Sequence, residues 1–223
     1  MALPTVSSVS LVGLLTALLA LAAAPARAAV LSTDRECYRE GEPVRLGGGP
    51  FTPGGLVDVS RDGARLPGPL TADAAGTVVG QLAAPAPGQA EERPFRIAAS
   101  ERANPALTGS VVRLVSQFGV TVRPARGNPG ARRRVTARGF TGGGTLYAHA
   151  VRGRRRRTVR IGRLAGACGT LTARTRILRR GAGRGTYRVQ FDTRRGYSRK
   201  TVPRVTFKVP VSRSFRAPGA ARG

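Results

Sequence analysis

The chain has 223 residues, a formal net charge of +27, two cysteines, one histidine and no tryptophan. That length suits one or two modest domains and excludes a large multidomain enzyme. One histidine and two cysteines exclude a zinc, iron–sulfur or haem site of the usual kind and a disulfide-dense scaffold, so neither cofactor nor metal is expected. Glycine (30) and proline (16) stay below low-complexity levels, and 41% hydrophobic residues are enough to build cores.

The chain opens on an apolar run from Leu11 to Ala24, followed by Pro25 and the triplet Ala26-Arg27-Ala28. The triplet has the A-x-A shape of a signal-peptidase site, so residues 1–28 read as a signal peptide with Ala29 as the mature start. Neither Lys nor Arg precedes the run, which departs from the usual signal pattern. The run is shorter than the roughly 20 residues of a membrane span, although an uncleaved anchor is the alternative. No cysteine follows it to carry a lipid. Either way the body of the protein is expected outside the cytoplasmic membrane, secreted or associated with the envelope.

Beyond that segment, apolar and polar residues alternate with a period of two, and helical spacing is absent. Strands are expected near 30–37, 43–48, 55–61, 64–70, 77–83, 94–99 and 110–116. A second set is expected near 118–123, 132–138, 145–151, 157–162, 170–178, 186–192 and 203–211. The stretch from Val44 through Phe51-Thr52-Pro53-Gly54 to the turn Asp62-Gly63 is echoed from Val135 through Phe140-Thr141-Gly142 to Gly153. Ala74-Ala75-Gly76-Thr77 is answered by Ala167-Cys168-Gly169-Thr170, and Phe95-Arg96-Ile97 by Tyr187-Arg188-Val189. The conserved order implies tandem duplication. Seven strands in each repeat of roughly 90 residues is the count of an immunoglobulin-like β-sandwich. The expected fold is therefore all-β, with two such sandwiches over 29–116 and 117–211 and a disordered tail over 212–223. In these stretches the chain resembles the tandem immunoglobulin-like modules of secreted actinobacterial proteins, mostly uncharacterised. That resemblance implies adhesion, spacing or surface binding and carries over no catalytic residue.

Charge is divided very unevenly. Residues 29–117 carry nine arginines against ten acids, whereas residues 118–223 carry 28 basic residues against Asp192 alone. A GC-rich genome explains arginine over lysine but acts on both halves alike, so it leaves the asymmetry unexplained. A block of one sign points to a polyanion or to a solvated charged surface. In an antiparallel sandwich alternate loops share an end. In the second repeat the arginine-rich loops are the first, third and fifth, so Arg126, Arg132, Arg133, Arg152, Arg154, Arg155, Arg156, Arg157, Arg179, Arg180 and Arg184 are expected to converge. Planar guanidinium forks suit phosphate, sulfate or carboxylate. The expected partners are acidic polymers: a teichoic-type phosphate polymer, an acidic polysaccharide or extracellular DNA held without sequence reading. Among the aromatics only Tyr197 and Phe215 look free to stack on a base. The other reading is a passive structural or adhesive spacer.

The same parity places Cys37 and Cys168 at facing ends of the two repeats, which permits a disulfide but leaves free thiols or intermolecular pairing open. His149, Asp192 and Ser198 allow a catalytic triad to be written, but no nucleophile motif surrounds Ser198, and a structural histidine is the favoured reading; the protein is read as no enzyme. Asp58, Asp62 and Asp73 lack the form of a calcium loop. Tyr187 sits where a tyrosine corner belongs.

Overall fold

Strands with alternating polarity dry one face and wet the other, so stable solutions pair two sheets. A computed structural model describes residues 28–211. Apart from Ala28, the expected export segment lies outside the described residues, as does the tail over 212–223.

The first repeat contains β1 (Val30–Thr33), β2 (Cys37–Arg39), β3 (Pro43–Gly49), β4 (Leu56–Arg61), β5 (Ala64–Arg65), β6 (Leu70–Thr71), β7 (Val78–Ala83), β8 (Glu92–Glu101) and β9 (Thr108–Ser116). They form one sheet in the order β1-β3-β7 and a second in the order β2-β9-β8-β4-β5, with β6 also on β4. The second repeat contains β10 (Gly119–Arg123), β11 (Arg133–Arg138), β12 (Thr145–Arg152), β13 (Arg155–Arg163), β14 (Leu171–Thr175), β15 (Gly185–Asp192) and β16 (Val205–Val211). Its sheets run β10-β11-β14 and β13-β12-β15-β16. Each repeat is thus an immunoglobulin-like sandwich, and no helix occurs among the described residues.

Each sandwich has its own core. One cluster includes Leu31, Val44, Leu46, Phe51, Val57, Phe95 and Ile97, and the other includes Val135, Phe140, Leu146, Ala148, Ile177, Val189 and Phe191. The duplicated glycines mark a shared construction. Gly76 and Gly169 have φ +74° and +58°, and a Cβ on them would lie 2.3 Å from the Phe51 carbonyl and 1.9 Å from the Phe140 carbonyl. Only glycine lets these turns close on the buried phenylalanines. The Asp62-Gly63 turn holds both residues at positive φ, the geometry that matches a tight hairpin to strand twist.

Three strands differ from expectation. The run over 30–37 changes sheets: β1 pairs antiparallel with β3, and β2 pairs parallel with β9. Asp34 holds the crossover, accepting from the Arg45 amide at 3.0 Å and the Tyr38 hydroxyl at 2.8 Å. The run over 64–70 is cut into β5 and β6 by Pro67-Gly68-Pro69, whose prolines have no amide to give a ladder. The run over 170–178 ends at Thr175, because the chain leaves the sheet there and turns Ile177 and Leu178 into the core.

Candidate anion-binding site

Strand reversal brings the arginine-bearing loops to one end of the second sandwich. The β12–β13 hairpin presents Arg152, Arg154, Arg155 and Arg156 to solvent, with Arg157 half-buried. The segment between β14 and β15 presents Arg179, Arg180 and Arg184. Between hairpin and segment lies a groove of about 560 Å³ rimmed by Arg155, Arg156, Arg157 and Arg179, with Leu178 and Tyr187 in its wall. The segment leading to β11 carries exposed Arg126 and Arg132 and reaches the same end. There Arg176 Nε donates to the Gly130 carbonyl at 3.1 Å, and Gly130 packs against Arg180.

Packing of guanidinium on aromatic rings orders part of this rim. Arg152 lies over the Tyr187 ring, 5.5 Å from its centroid, and Arg156 over the Tyr197 ring at 5.1 Å. Tyr187 in turn donates its hydroxyl to the Gly183 carbonyl at 3.3 Å, the bond of a tyrosine corner. Tyr197 is not free to stack on a ligand base. Its ring meets His149 at 5.8 Å and its hydroxyl is buried, so it supports Arg156 instead.

Arg133 departs from the expected cluster. It is 1% exposed, donates to the Pro124 carbonyl and leaves Nη2 without a partner. Burial pulls its guanidinium pKa down. The cause is strand parity: β11 begins at Arg133, and Arg133, Val135 and Ala137 all face the core.

The acids of the chain do little to neutralise this end. Asp192, the one acid of the second half, is fully buried; it accepts from the Arg194 amide at 2.8 Å and from Gln190 Nε2 at 2.6 Å. Arg138 pairs with Glu91 across the junction between the sandwiches, away from the groove. A low-dielectric groove wall with unneutralised guanidinium groups above it concentrates anions.

Cys37 and Cys168 form a disulfide with Cα atoms 5.2 Å apart, joining β2 to the turn before β14. The junction beside it packs Arg39 over Phe118, 5.3 Å from the ring centroid, and Phe118 against Phe140 at 5.0 Å.

His149 is 1% exposed on the outer face of its sheet, covered by the segment between β15 and β16. Nε2 donates to the Arg194 carbonyl at 3.0 Å and lies 3.3 Å from Asp192 Oδ1, while Nδ1 is hydrogen-bonded with the Thr158 hydroxyl at 2.9 Å. Ser198 is engaged elsewhere: its carbonyl accepts from Gln190 and its hydroxyl from the Lys200 amide. The partners of the buried His149 are thus Thr158, Asp192 and Arg194, and Ser198 is not among them. Asp58, Asp62 and Asp73 hold arginines and turn amides at separate places, and no three metal-ligating side chains gather among the described residues.

No protein-family model matches the chain, and no curated protein does. Solved structures do. A protein of Corynebacterium diphtheriae described as membrane anchored matches at TM-score 0.36 and 10% identity over 83% of this chain and 57% of its own. A calcium-stabilised, ice-binding adhesin of an Antarctic bacterium matches at TM-score 0.37 and 14% identity over 84% of this chain and 49% of its own. A titin immunoglobulin tandem matches at TM-score 0.27 and 13% identity over 82% and 96%. The chain therefore spans about half the length of the first two.

Proposed function

We propose that this is an exported, non-enzymatic pair of immunoglobulin-like modules whose basic second module binds acidic polymers of the cell envelope or its surroundings. One observation carries the reading: the β12–β13 hairpin and the segment before β15 bring Arg155, Arg156, Arg157 and Arg179 around one groove, while Asp192 is withdrawn into the interior. Clustered arginines bind anionic groups through paired N–H donors and gain further from the counterions that a polyanion releases. A teichoic-type phosphate polymer, an acidic polysaccharide and extracellular DNA all present such groups. With Tyr197 committed to Arg156, nucleic acid would be held by its phosphates alone. An export segment and a disulfide both suit an oxidising compartment outside the cytoplasm.

The test is equilibrium binding of phosphate, sulfate and carboxylate polymers at low salt, beside a variant with Arg155, Arg156, Arg157 and Arg179 replaced by Ser. The reading requires binding that falls at least tenfold in the variant. Equal binding by both proteins, or none by either, overturns it. The second reading, a passive spacer, is favoured by the disulfide that ties the two sandwiches together. It predicts no retention on any of the three polymers.

A further inference from the structure

The outer face of the β10-β11-β14 sheet carries a second concentration of arginine, which has no residue in common with the groove. Strand register sets Arg123 opposite Arg134 and Arg134 opposite Arg174, so the three form one rung across the sheet. All three side chains are exposed, and Arg132 joins them in a shallow depression. The next rung on the same face is Thr121-Thr136-Thr172, with the Thr172 hydroxyl 3.3 Å from that of Thr136. Like charges directly opposite one another weaken a sheet. Among the described residues none of the three arginine side chains has a carboxylate partner.

The first sandwich supplies an internal control. Aligning Phe51 with Phe140 and Gly76 with Gly169, and following the strand register from there, makes Asp34, Arg45 and Gln81 the counterparts of Arg123, Arg134 and Arg174. Arg45 pairs with Gln81 in register, and Asp34 accepts from the Arg45 amide. The rung Ser32-Gly47-Val79 likewise occupies the place of the three threonines. Identical positions in one fold thus carry no net charge in one copy and three positive charges in the other. Solvation of a sheet face does not require that change, since the first copy does without it.

We propose that Arg123, Arg134 and Arg174, flanked by Arg132 and the threonine rung, form a second anion site for one segment of a phosphate polymer lying across the strands. Neighbouring strands stand about 4.8 Å apart, so two adjacent guanidinium forks reach different oxygens of one tetrahedral phosphate. A threonine hydroxyl two residues along the strand supplies a further donor to a neighbouring phosphate oxygen. A planar carboxylate has two oxygens in one plane and no third oxygen to turn toward a second fork, so it bridges adjacent forks less well than a tetrahedral phosphate. The site binds independently of the groove, so its existence does not rest on the function proposed above.

The experiment uses the whole secreted chain with inorganic tripolyphosphate and long-chain polyphosphate as probes, read by calorimetry over a salt series. Arg123→Gln/Arg134→Gln/Arg174→Gln should remove one tripolyphosphate equivalent from the stoichiometry of the parent, whether or not the groove binds another. It should also weaken long-chain binding at least tenfold and reduce the log–log salt slope by about 2. The matching Lys triple keeps the charge and loses the forks; it should bind several-fold more weakly than the parent. Equal affinity in the Lys triple means a diffuse field and overturns the site, as does unchanged stoichiometry in the Gln triple. A groove variant that still binds one equivalent, lost on adding the Gln triple, sustains this site even if the groove reading fails. A groove variant that loses all binding sustains the groove and removes the rung. Stronger binding of polyglutamate than of polyphosphate contradicts the assigned chemistry.

Discussion

Breaking the Cys37–Cys168 bond should destabilise the second sandwich more than the first. The bond spans 131 residues of sequence, for which loop-closure entropy gives about 5 kcal/mol when the whole chain unfolds. The two cores are separate, so the more informative case is unfolding of the second sandwich alone. With the first still folded, the closed loop runs through roughly 50 flexible residues from the junction to Cys168, corresponding to about 4 kcal/mol. For a domain of this size that is a fall in Tm of about 15 °C or more. The clean perturbation is Cys37→Ala/Cys168→Ala, because the first repeat already carries Ala75 in the position of Cys168. Thermal and urea unfolding of oxidised, reduced and doubly substituted protein, followed by circular dichroism, would resolve the transitions. A change below about 1 kcal/mol in the second sandwich would refute the reasoning and show that the Arg39–Phe118–Phe140 packing alone restrains the junction.

Arg133→Leu should be neutral or raise stability by about 1 kcal/mol in urea unfolding, since it replaces a buried, half-satisfied guanidinium with an apolar side chain in the slot that Val44 fills in the first repeat. Gly169→Ala should cost more than about 2 kcal/mol, from its positive φ and the collision with the Phe140 carbonyl. Gly153→Ala, with φ +56° and open space around it, should cost only the backbone part in the same assay. Burial opposes the charge of Glu42, but bonds from the Arg39 side chain and amide outweigh it and hold the carboxyl below its usual value. A lowered folded-state value means that this contribution is complete above the ordinary carboxylate range near 4.3 and disappears as pH falls through the lowered value. Acid unfolding of Glu42→Gln should therefore show a shallower loss of stability below about pH 4 than the parent.

Much of the fold was legible because half-buried strands advertise themselves by alternation. Val57 and Val59 against Asp58 and Ser60, closed by Asp62-Gly63, are sufficient to place β4 and its hairpin. The passage from β1 to β2 was not legible, because a strand that changes sheets keeps its alternation while its hydrogen-bond partners change. Arg133 could have been placed correctly: counting back by twos from Val135 and Ala137 reaches it on the core face, although its charge argues for a loop. Loop parity brings the groove residues to one end without coordinates. The Arg123-Arg134-Arg174 rung depends on register between three strands distant in sequence. Only the alignment of Asp34, Arg45 and Gln81 with those positions hints at it. Support of Arg156 by Tyr197 has no local signal: the Tyr147-His149-Val151 alternation shows that this face is packed, but nothing in the spacing shows that the segment carrying Tyr197 is what covers it.

Affinity for long-chain polyphosphate as a function of salt tests the polyanion reading most directly. Four groove arginines engaged at once predict a log–log slope of magnitude about 3 or greater, flattened when Arg155, Arg156, Arg157 and Arg179 are replaced by Ser. Absence of binding at low salt, or binding indifferent to salt and to those four residues, would contradict a polyanion-binding second module.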